Sequence, residues 1–362
     1  MKKNKDERII IRFDADKRAG MGHFNRCYAL GKSLIRQGFD VLYCCRSFDK
    51  KIIDILKRNR NKYFLIPERF SWGDEAGYIF NELALNISGI VLDISTVYAF
   101  DNIRGIATYI KNLRKRCLVV LIDGMRGNAL LSKADLRVDI AVMPYFGAED
   151  IKWKSSPSLT YLTGPKYFIF SSEYARFKKG KRRVRRVADR VLVTLGGSDP
   201  CSATIKVLKA VAQIIDRKIY ARVIMGPCFN QVLKDKIKLI AGRSRHKLEV
   251  VDSPVSLLRH MFWCDLAVTS SGLTKYEMAI TGTPSLQVSF NKDYAAVNES
   301  FLKNGTAKHL GVYDAVSCQS ISKAITGLLD NVRQRRFMSE AGKNLLDGLG
   351  TERIIEAIRR KL

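Results

Sequence analysis

Residues 191–214 read VLVTLGGSDPCSATIKVLKAVAQI and contain the repeating unit of the chain: a short β-branched strand, a glycine turn and an amphipathic helix. The same alternation of short apolar strands with longer amphipathic segments runs before residue 175 and begins again after residue 190. This pattern predicts βα units on parallel sheets. We therefore expect an α/β protein of two doubly wound Rossmann-like lobes facing a cleft.

The length and one basic segment set the expected domain boundaries. A chain of 362 residues exceeds the size of most single cores, which favours two domains. Residues 176–190, RFKKGKRRVRRVADR, are basic and poor in apolar side chains, as is typical of a solvated linker. We expect a first lobe over residues 1–175, a second over 191–345, and a C-terminal helix within 346–362 that can pack back on the first lobe.

The charge balance limits the classes of partner. Lysine and arginine number 63 against 35 aspartate and glutamate residues, which gives a net charge of +28. Such a surplus favours polyanions. However, the chain has neither zinc-finger spacing nor an RNP-type aromatic motif, so we expect no specific nucleic-acid partner. A solvated basic surface and peripheral contact with an anionic membrane both stay open.

Targeting and metal-binding signals are missing from the sequence. No apolar run reaches the ~20 residues that cross a bilayer, and the N-terminal apolar run is too short for a signal-peptide core. We expect a cytoplasmic protein, with peripheral membrane contact as an option. The eight cysteines form no C-x-x-C pair and no zinc spacing. We therefore expect no disulfide framework, no metal site and no cofactor.

The loop after the first strand is a candidate catalytic site, because ligands of open α/β sheets collect at the carboxyl ends of strands. It carries Asp14 and then GMGHFNR at residues 20–26. Gly20 and Gly22 allow close backbone approach. His23 is a candidate general base, because imidazole titrates near neutral pH. Asp14 could orient His23 or bind substrate hydroxyls, although an ordinary helix-start histidine and strand-end aspartate remain the alternatives.

Two loops of the second lobe predict a nucleotide site. The runs LGGSDP and TSSGLTKYE each follow a strand and open a helix, so their backbone N–H groups can bind phosphate. Glu277 lies about a turn into the second helix, where its carboxylate can accept hydrogen bonds from ribose hydroxyls. Simple helix capping and an ordinary first-turn acid are the alternatives. The candidate nucleotide contacts are Gly196, Gly197, Ser198, Ser271, Gly272, Leu273, Thr274 and Glu277.

Asp93 and Asp123 end two strands of the buried type, GIVLD and VVLID. Both are expected at the edge of the first sheet where ligands bind. Each could instead be a turn acid that caps the next element.

Taken in this order, the motifs resemble the hydrolases that release UDP from UDP-2,4-diacetamido-2,4,6-trideoxy-altropyranose in pseudaminic acid synthesis. These enzymes are relatives of the muramyl-pathway GT-B glycosyltransferases. The resemblance covers nearly the whole chain. The matching motifs are R-x-D at Arg12 and Asp14, G-x-G-H-x-x-R at 20–26, the strand-end Asp93, I-D at Asp123, G-P-K-Y at 164–167, L-G-G-S-D-P at 195–200 and S-S-G-x-T-x-x-E at 270–277.

The resemblance implies a GT-B-like fold in which the first lobe holds the sugar or acceptor and the second lobe binds UDP. It implies that His23, with Asp14, activates water that displaces UDP with inversion at the anomeric carbon. The implied sugar contacts are Gly22, Arg26, Asp93, Tyr167 and Asn298. The expected activity is hydrolysis of a UDP-linked deoxy acetamido sugar in nonulosonic acid or surface polysaccharide biosynthesis.

Some residues on the sugar side depart from the family pattern. Ile94 and Ser95 follow Asp93 where a tyrosine is common, and Gly124 replaces the second aspartate of a frequent pair. Transfer of the sugar from UDP to a membrane-associated acceptor therefore stays open, because the fold and nucleotide site would be the same. A nucleotide-sugar 2-epimerase and a non-enzymatic basic protein that binds polyanions are further alternatives.

Overall fold

A computed structural model describes residues 7–15, 21–46, 50–83, 86–123, 130–133, 135–153, 158–177 and 182–362. The chain divides into two compact units: Met1–Ser172 with Leu349–Leu362, and Glu173–Gly348. Gly20, Gly124 and residues 178–181 of the basic segment lie outside the described residues.

The first unit is built on a parallel sheet whose two faces are both covered. Its strands are β1 (Arg8–Phe13), β2 (Asp40–Cys45), β3 (Lys62–Leu65), β4 (Ile87–Asp93), β5 (Leu118–Ile122), β6 (Ile140–Met143) and β7 (Thr160–Thr163). Its helices are α1 (Gly22–Arg36), α2 (Lys50–Arg58), α3 (Trp72–Leu83), α4 (Thr96–Ala99), α5 (Ile103–Arg114), α6 (Leu130–Lys133) and the C-terminal α15 (Gly350–Lys361).

The strand order of this sheet is β3-β2-β1-β4-β5-β6-β7. Successive strands are therefore added outward from β1 in one direction and from β4 in the other, which makes β1 and β4 the topological switch point. Within β1, Ile10 packs in the core that includes α3 and α5, while Ile9 and Ile11 pack in the core that includes α1 and α15. Burial on both faces explains why these strands read as continuous apolar runs.

The second unit repeats this architecture. Its strands are β8 (Arg190–Thr194), β9 (Tyr220–Met225), β10 (Lys247–Asp252), β11 (Leu266–Ser270), β12 (Ser285–Ser289) and β13 (Ala307–Val312). Its helices are α7 (Ser172–Phe177), α8 (Ala203–Ala212), α9 (Gln231–Gly242), α10 (Leu258–Trp263), α11 (Thr274–Ile280), α12 (Lys292–Leu302), α13 (Cys318–Asp330) and α14 (Val332–Leu345). The order β10-β9-β8-β11-β12-β13 puts the switch point between β8 and β11.

The C-terminal helix belongs to the first unit. Ile354, Ile355 and Ile358 of α15 are fully buried in its core. Gly350 allows the helix to begin against the chain, because a Cβ there would lie 2.3 Å from the carbonyl oxygen of Phe168.

The described part of the basic segment is held against the second unit. Arg182 Nη1 donates to the carbonyl oxygen of Met261 at 2.8 Å and to Thr283 Oγ1 at 2.9 Å. Arg185 forms an ion pair of 2.6 Å with Asp189. These arginines satisfy backbone and side-chain acceptors, so this part of the segment is docked and not simply solvated.

None of the helices in the described ranges has the length and apolar content that crossing a bilayer requires.

Candidate active site

At the switch point of the first sheet, the carboxylate of Asp93 contacts two predicted site residues, His23 and Arg26. His23 and Arg26 lie in the first turns of α1, which begins at Gly22, and Asp93 ends β4. His23 Nδ1 lies 2.7 Å from Asp93 Oδ1, and Arg26 donates to both carboxylate oxygens through Nε and Nη2. Asp93 is fully buried, whereas the side chains of His23 and Arg26 keep 18% and 16% of their exposure. The imidazole therefore remains open to solvent.

The ionisation of Asp93 decides which nitrogen of His23 carries the proton. Burial raises the pKa of the Asp93 carboxyl, but Arg26 and His23 outweigh it and hold that pKa well below its usual range. An ionised carboxylate only accepts hydrogen bonds, so Nδ1, at 2.7 Å, must be the protonated nitrogen. In the neutral imidazole, Nε2 then carries no proton and can accept one from water or a hydroxyl.

Asp14, predicted beside His23, makes other contacts. Its Oδ2 accepts the backbone N–H of Ser95 at 2.9 Å, and its Oδ1 accepts a hydrogen bond from Arg12. Among the described residues, no hydrogen bond joins Asp14 to His23. Asp14 instead fixes the backbone two residues beyond Asp93, and so supports the carboxylate that holds His23.

A buried charge network behind Asp14 has no counterpart in the sequence analysis. Glu75 of α3 is fully buried and accepts from Arg12 Nε at 2.9 Å and Arg46 Nε at 2.7 Å. Both guanidinium groups stack on the ring of Trp72, at 4.7 and 4.4 Å from its centre. Burial raises the pKa of Glu75, but the two arginines outweigh burial and lower it. Glu75 sits in the first turn of a helix, so its local sequence suggests only an ordinary helix-start acid.

Asp123 and Tyr167 have local structural contacts. The Asp123 carboxylate accepts the backbone N–H groups of Leu130 at 2.7 Å and Leu131 at 2.9 Å, and thereby caps α6. This is the capping role left open for Asp123. Tyr167 ends a short 3₁₀ turn, packs partly buried against the core that includes α15, and has the Lys166 ammonium 5.2 Å from its ring centre.

In the second unit, the two predicted glycine turns lie side by side. β8 and β11 pair in parallel with Thr194 opposite Thr269, so the turns leave adjacent strands at the same edge. Ser270 Oγ lies between them, 3.4 Å from a Cβ built on Gly196 and 3.8 Å from one built on Gly272. Gly196 has φ +88°, a conformation that favours glycine.

Both turns have partly exposed glycines, which have no side chain and therefore expose backbone. The first turn is partly exposed at Gly196 and Gly197 and exposed at Ser198; the second is partly exposed at Gly272, Leu273 and Thr274. The Gly197 carbonyl oxygen accepts from the Cys228 N–H at 2.9 Å. Asp199 accepts the N–H groups of Ala203 and Thr204 at 2.7 and 2.9 Å and caps α8. The capping alternative therefore applies to Asp199 and leaves Ser198 available.

Glu277 lies on α11 next to Tyr174 of α7, a residue that the sequence analysis did not single out. Burial and the nearby Glu173 raise the pKa of the Glu277 carboxyl to about 7, although a hydrogen bond from Tyr174 lowers it. The carboxyl is therefore close to half ionised at neutral pH. Donors from a ligand would favour its ionised form.

Ser271 and Asn298 are buried in a polar cluster beneath the second turn. Asn298 Nδ2 donates to Ser271 Oγ at 2.7 Å and to Ser289 Oγ at 3.1 Å, while Asn298 Oδ1 accepts from Lys275 Nζ at 3.2 Å. Ser289 Oγ also lies 2.6 Å from Ser271 Oγ and 2.8 Å from His309 Nε2. Neither Ser271 nor Asn298 is exposed. Asn298, predicted as a sugar contact, supports the second turn through its hydrogen bond to Ser271.

No three histidine, cysteine, aspartate or glutamate side chains within the described ranges are grouped so that they could hold a metal ion.

The chain has two curated relatives at low identity, and no family model matches it. An uncharacterised protein of Methanocaldococcus jannaschii, MJ1062, is 25% identical over 84% of this chain and 60% of its own length. The spore coat polysaccharide biosynthesis protein SpsG of Bacillus subtilis is 24% identical over 53% of this chain and 56% of its own length. The chain thus spans less than two thirds of the length of either relative.

Solved structures match over nearly the whole chain. MurG of Acinetobacter baumannii aligns with a TM-score of 0.67 and 13% identity over 98% of this chain and 99% of its own. MnaA of S. aureus in complex with UDP aligns with a TM-score of 0.64 and 14% identity over 98% and 96%. At these identities the likeness establishes the fold alone. The predicted GT-B-like fold class, with two doubly wound Rossmann-like α/β domains, is confirmed.

Proposed function

We propose that this chain hydrolyses a UDP-linked sugar, releasing UDP with inversion at the anomeric carbon. The observation that carries the proposal is the contact of 2.7 Å between His23 Nδ1 and the buried, ionised Asp93. It leaves Nε2 as a proton acceptor on a side chain that solvent reaches. The position of this pair, at the switch point of a doubly wound sheet, is where such folds bind ligands.

The proposed reaction is a single displacement. His23 Nε2 takes a proton from water as the water oxygen bonds to the anomeric carbon and the bond from that carbon to the diphosphate oxygen breaks. Both electrons of the broken bond leave with UDP. Asp93 stabilises the imidazolium that forms, as the carboxylate of a catalytic triad does. Arg26 keeps Asp93 ionised throughout.

In this proposal the second unit binds UDP. The backbone N–H groups of the turns at Gly197 and Gly272 donate to the diphosphate and stabilise it as it departs. Glu277 accepts the ribose hydroxyls. The complex of MnaA with UDP, on the same fold, supports a uridine nucleotide.

The proposed substrate is a deoxy acetamido sugar of nonulosonic acid or surface polysaccharide biosynthesis. Support comes from the relative SpsG, named for spore coat polysaccharide biosynthesis, and from the order of the motifs in the sequence. Gly22, Arg26 and Tyr167 are proposed to contact the sugar, because each keeps some exposed surface.

Transfer to a membrane-associated acceptor is the second candidate. It is favoured by the net charge of +28, which suits an anionic membrane surface, and by the likeness to MurG. The same nucleotide site would serve both reactions. In transfer, His23 would deprotonate an acceptor hydroxyl in place of water.

The first experiment is to incubate the protein with a panel of UDP-linked amino sugars, without acceptor, and to follow phosphorus NMR. We expect free UDP. His23→Asn should lower its release by about two to four orders of magnitude, the usual size for a lost general base, with UDP binding intact. Asn25→Ala, an exposed position on the same helix turn, is the matched control and should leave the rate unchanged.

Three other outcomes would contradict hydrolysis. UDP-sugar that binds but stays intact until a lipid-linked acceptor is added would establish transfer. A new sugar isomer with the UDP linkage intact would establish epimerisation. Failure to bind any UDP-sugar, together with salt-dependent binding of polyanions, would favour the non-enzymatic alternative.

A further inference from the structure

A buried amine lies beneath the second glycine turn. Lys275 is the second residue of α11 and only 1% exposed. Its Nζ donates to Asn298 Oδ1 at 3.2 Å and lies 5.5 and 5.4 Å from the ring centres of Tyr276 and Phe301. Among the side chains that the structure describes, no carboxylate forms an ion pair with it. A buried ammonium without a counter-ion is unfavourable, because burial removes its hydration.

The hydrogen bonds of Lys275 lead to the proposed nucleotide turn. Asn298 connects the amine to Ser271 at 2.7 Å, and Gly272 follows Ser271 directly. The same Asn298 amide nitrogen binds Ser289, which in turn contacts His309. These groups are neutral donors and acceptors that can reorient, so a change in the charge of the amine is transmitted to the turn.

Within the described part of the chain, few titratable groups surround the amine. On β13, burial lowers the pKa of His309 and Lys275 lowers it further, although Glu299 of α12 raises it. On α11, the Glu277 carboxyl accepts a hydrogen bond from Tyr174 of α7. On α14, Lys343 lies against Gly282, beyond the other end of α11. Burial lowers the pKa of Lys275 from its ordinary value of 10.5 to about 7, so the unliganded protein holds it largely neutral above neutral pH.

We propose that the diphosphate of the bound nucleotide supplies a counter-charge that the described side chains do not provide, so that nucleotide binding is coupled to proton uptake by Lys275. The inference rests on the proposed function, in which the diphosphate lies on the turns at Gly197 and Gly272. Lys275 is then a positioning residue. Once charged, it fixes Asn298, and Asn298 fixes Ser271 in the turn.

The sign of the coupling follows from the charges. An anion stabilises the protonated amine, so the pKa of Lys275 is higher in the complex than in the free protein. Between those two values, binding takes up a proton and affinity falls as pH rises, by up to about tenfold per pH unit. Below the lower value, the amine is already protonated and this dependence disappears.

Calorimetry of UDP-N-acetylglucosamine binding tests the proposal. The probe's phosphates are diesters and do not titrate near neutral pH, and the His23→Asn protein prevents turnover. In buffers of different ionisation enthalpy at about pH 8, we expect uptake of close to one proton. Lys275→Met in the same background should take up none. Glu277 contributes little at this pH, because its carboxyl, with a pKa of about 7, is already mostly ionised.

A second variant keeps the test valid if Lys275→Met does not fold. Asn298→Asp puts a carboxylate where Oδ1 now lies, 3.2 Å from the amine, and so keeps Lys275 charged without nucleotide. Proton uptake should then vanish although the lysine is present. Binding with the same proton number in parent and variants would overturn the inference and leave the proposed function standing. Failure of every protein to bind the probe would overturn both.

Discussion

Asp93 in the first unit and Lys275 in the second are both buried ionisable side chains beside a candidate ligand site, but their surroundings differ in charge. Asp93 accepts from Arg26 and contacts His23, so it stays ionised although burial opposes this. Among the described side chains, Lys275 donates to the neutral Asn298 at 3.2 Å, and burial lowers its pKa to about 7.

The presence or absence of a counter-ion from the protein distinguishes two roles that a buried charged group can have. A group whose counter-ion belongs to the protein has a fixed ionisation state and can hold a neighbouring side chain in one tautomer. A group without a counter-ion changes state when a ligand brings one. The first arrangement suits a residue that positions a catalytic base, and the second suits a residue that responds to nucleotide. Substitutions in each unit test this distinction.

The largest effect is expected for Asp93→Asn. The amide can donate to Nδ1, which releases His23 from the required tautomer, so turnover should fall by about three orders of magnitude. Arg26 also loses its counter-ion, so the free energy of unfolding should fall by about 3–5 kcal/mol. Single-turnover UDP release and denaturant unfolding measure the two effects.

Cys27→Ser is the matched control for this substitution. Cys27 also donates to Asp93, at 3.3 Å, but carries no charge. Its loss should change turnover by less than about threefold, within the range of ordinary substitutions. Wild-type turnover in Asp93→Asn would mean that His23 does not depend on the carboxylate. The role given to Asp93 in the first unit would then be wrong.

A smaller effect is expected for Glu277→Gln. If its carboxylate accepts the ribose hydroxyls, the substitution should weaken UDP binding about tenfold at about pH 8. Because the pKa of Glu277 is about 7, the ratio of wild-type to variant affinity should shrink as the pH falls below this value. The ratio cancels the contribution of Lys275, which has the opposite sign. Calorimetry at several pH values checks this, with the exposed Glu340→Gln on α14 as control; equal affinities throughout would remove Glu277 from the site.

Much of the fold could be predicted from the sequence because its signal is local. Parallel strands buried on both faces read as apolar runs, and the turns after them carry glycines. The helix α3 has no clear signal in the local sequence. Gly73 and Gly77 weaken its local helical signal, and tertiary contacts stabilise it: Trp72 lies under two guanidinium groups and Glu75 binds both of them.

The site could be predicted only in part. Strand ends and glycine turns identify His23 and the two nucleotide turns. The sequence does not say which aspartate contacts His23. Asp14 directly follows β1 and Asp93 ends the adjacent β4, and the directions of their side chains depend on the register of these strands. Lys275 lies at a position of the motif S-S-G-x-T-x-x-E, residues 270–277, where any residue is allowed. Its burial depends on α12, whose Asn298 and Phe301 are distant in sequence.

The stability of the free protein tests the second unit alone. Between about pH 7 and 10.5, the unfolded chain binds a proton at Lys275 that the folded protein does not, so stability rises with pH across this window. Lys275→Met removes the cost of burying the amine. It should therefore raise the thermal unfolding midpoint most near pH 7 and progressively less toward pH 10.5. Lys209→Met, an exposed lysine on α8, should show no such trend. A pH-independent gain in Lys275→Met would mean that a partner already compensates the amine, and the contrast with Asp93 would disappear.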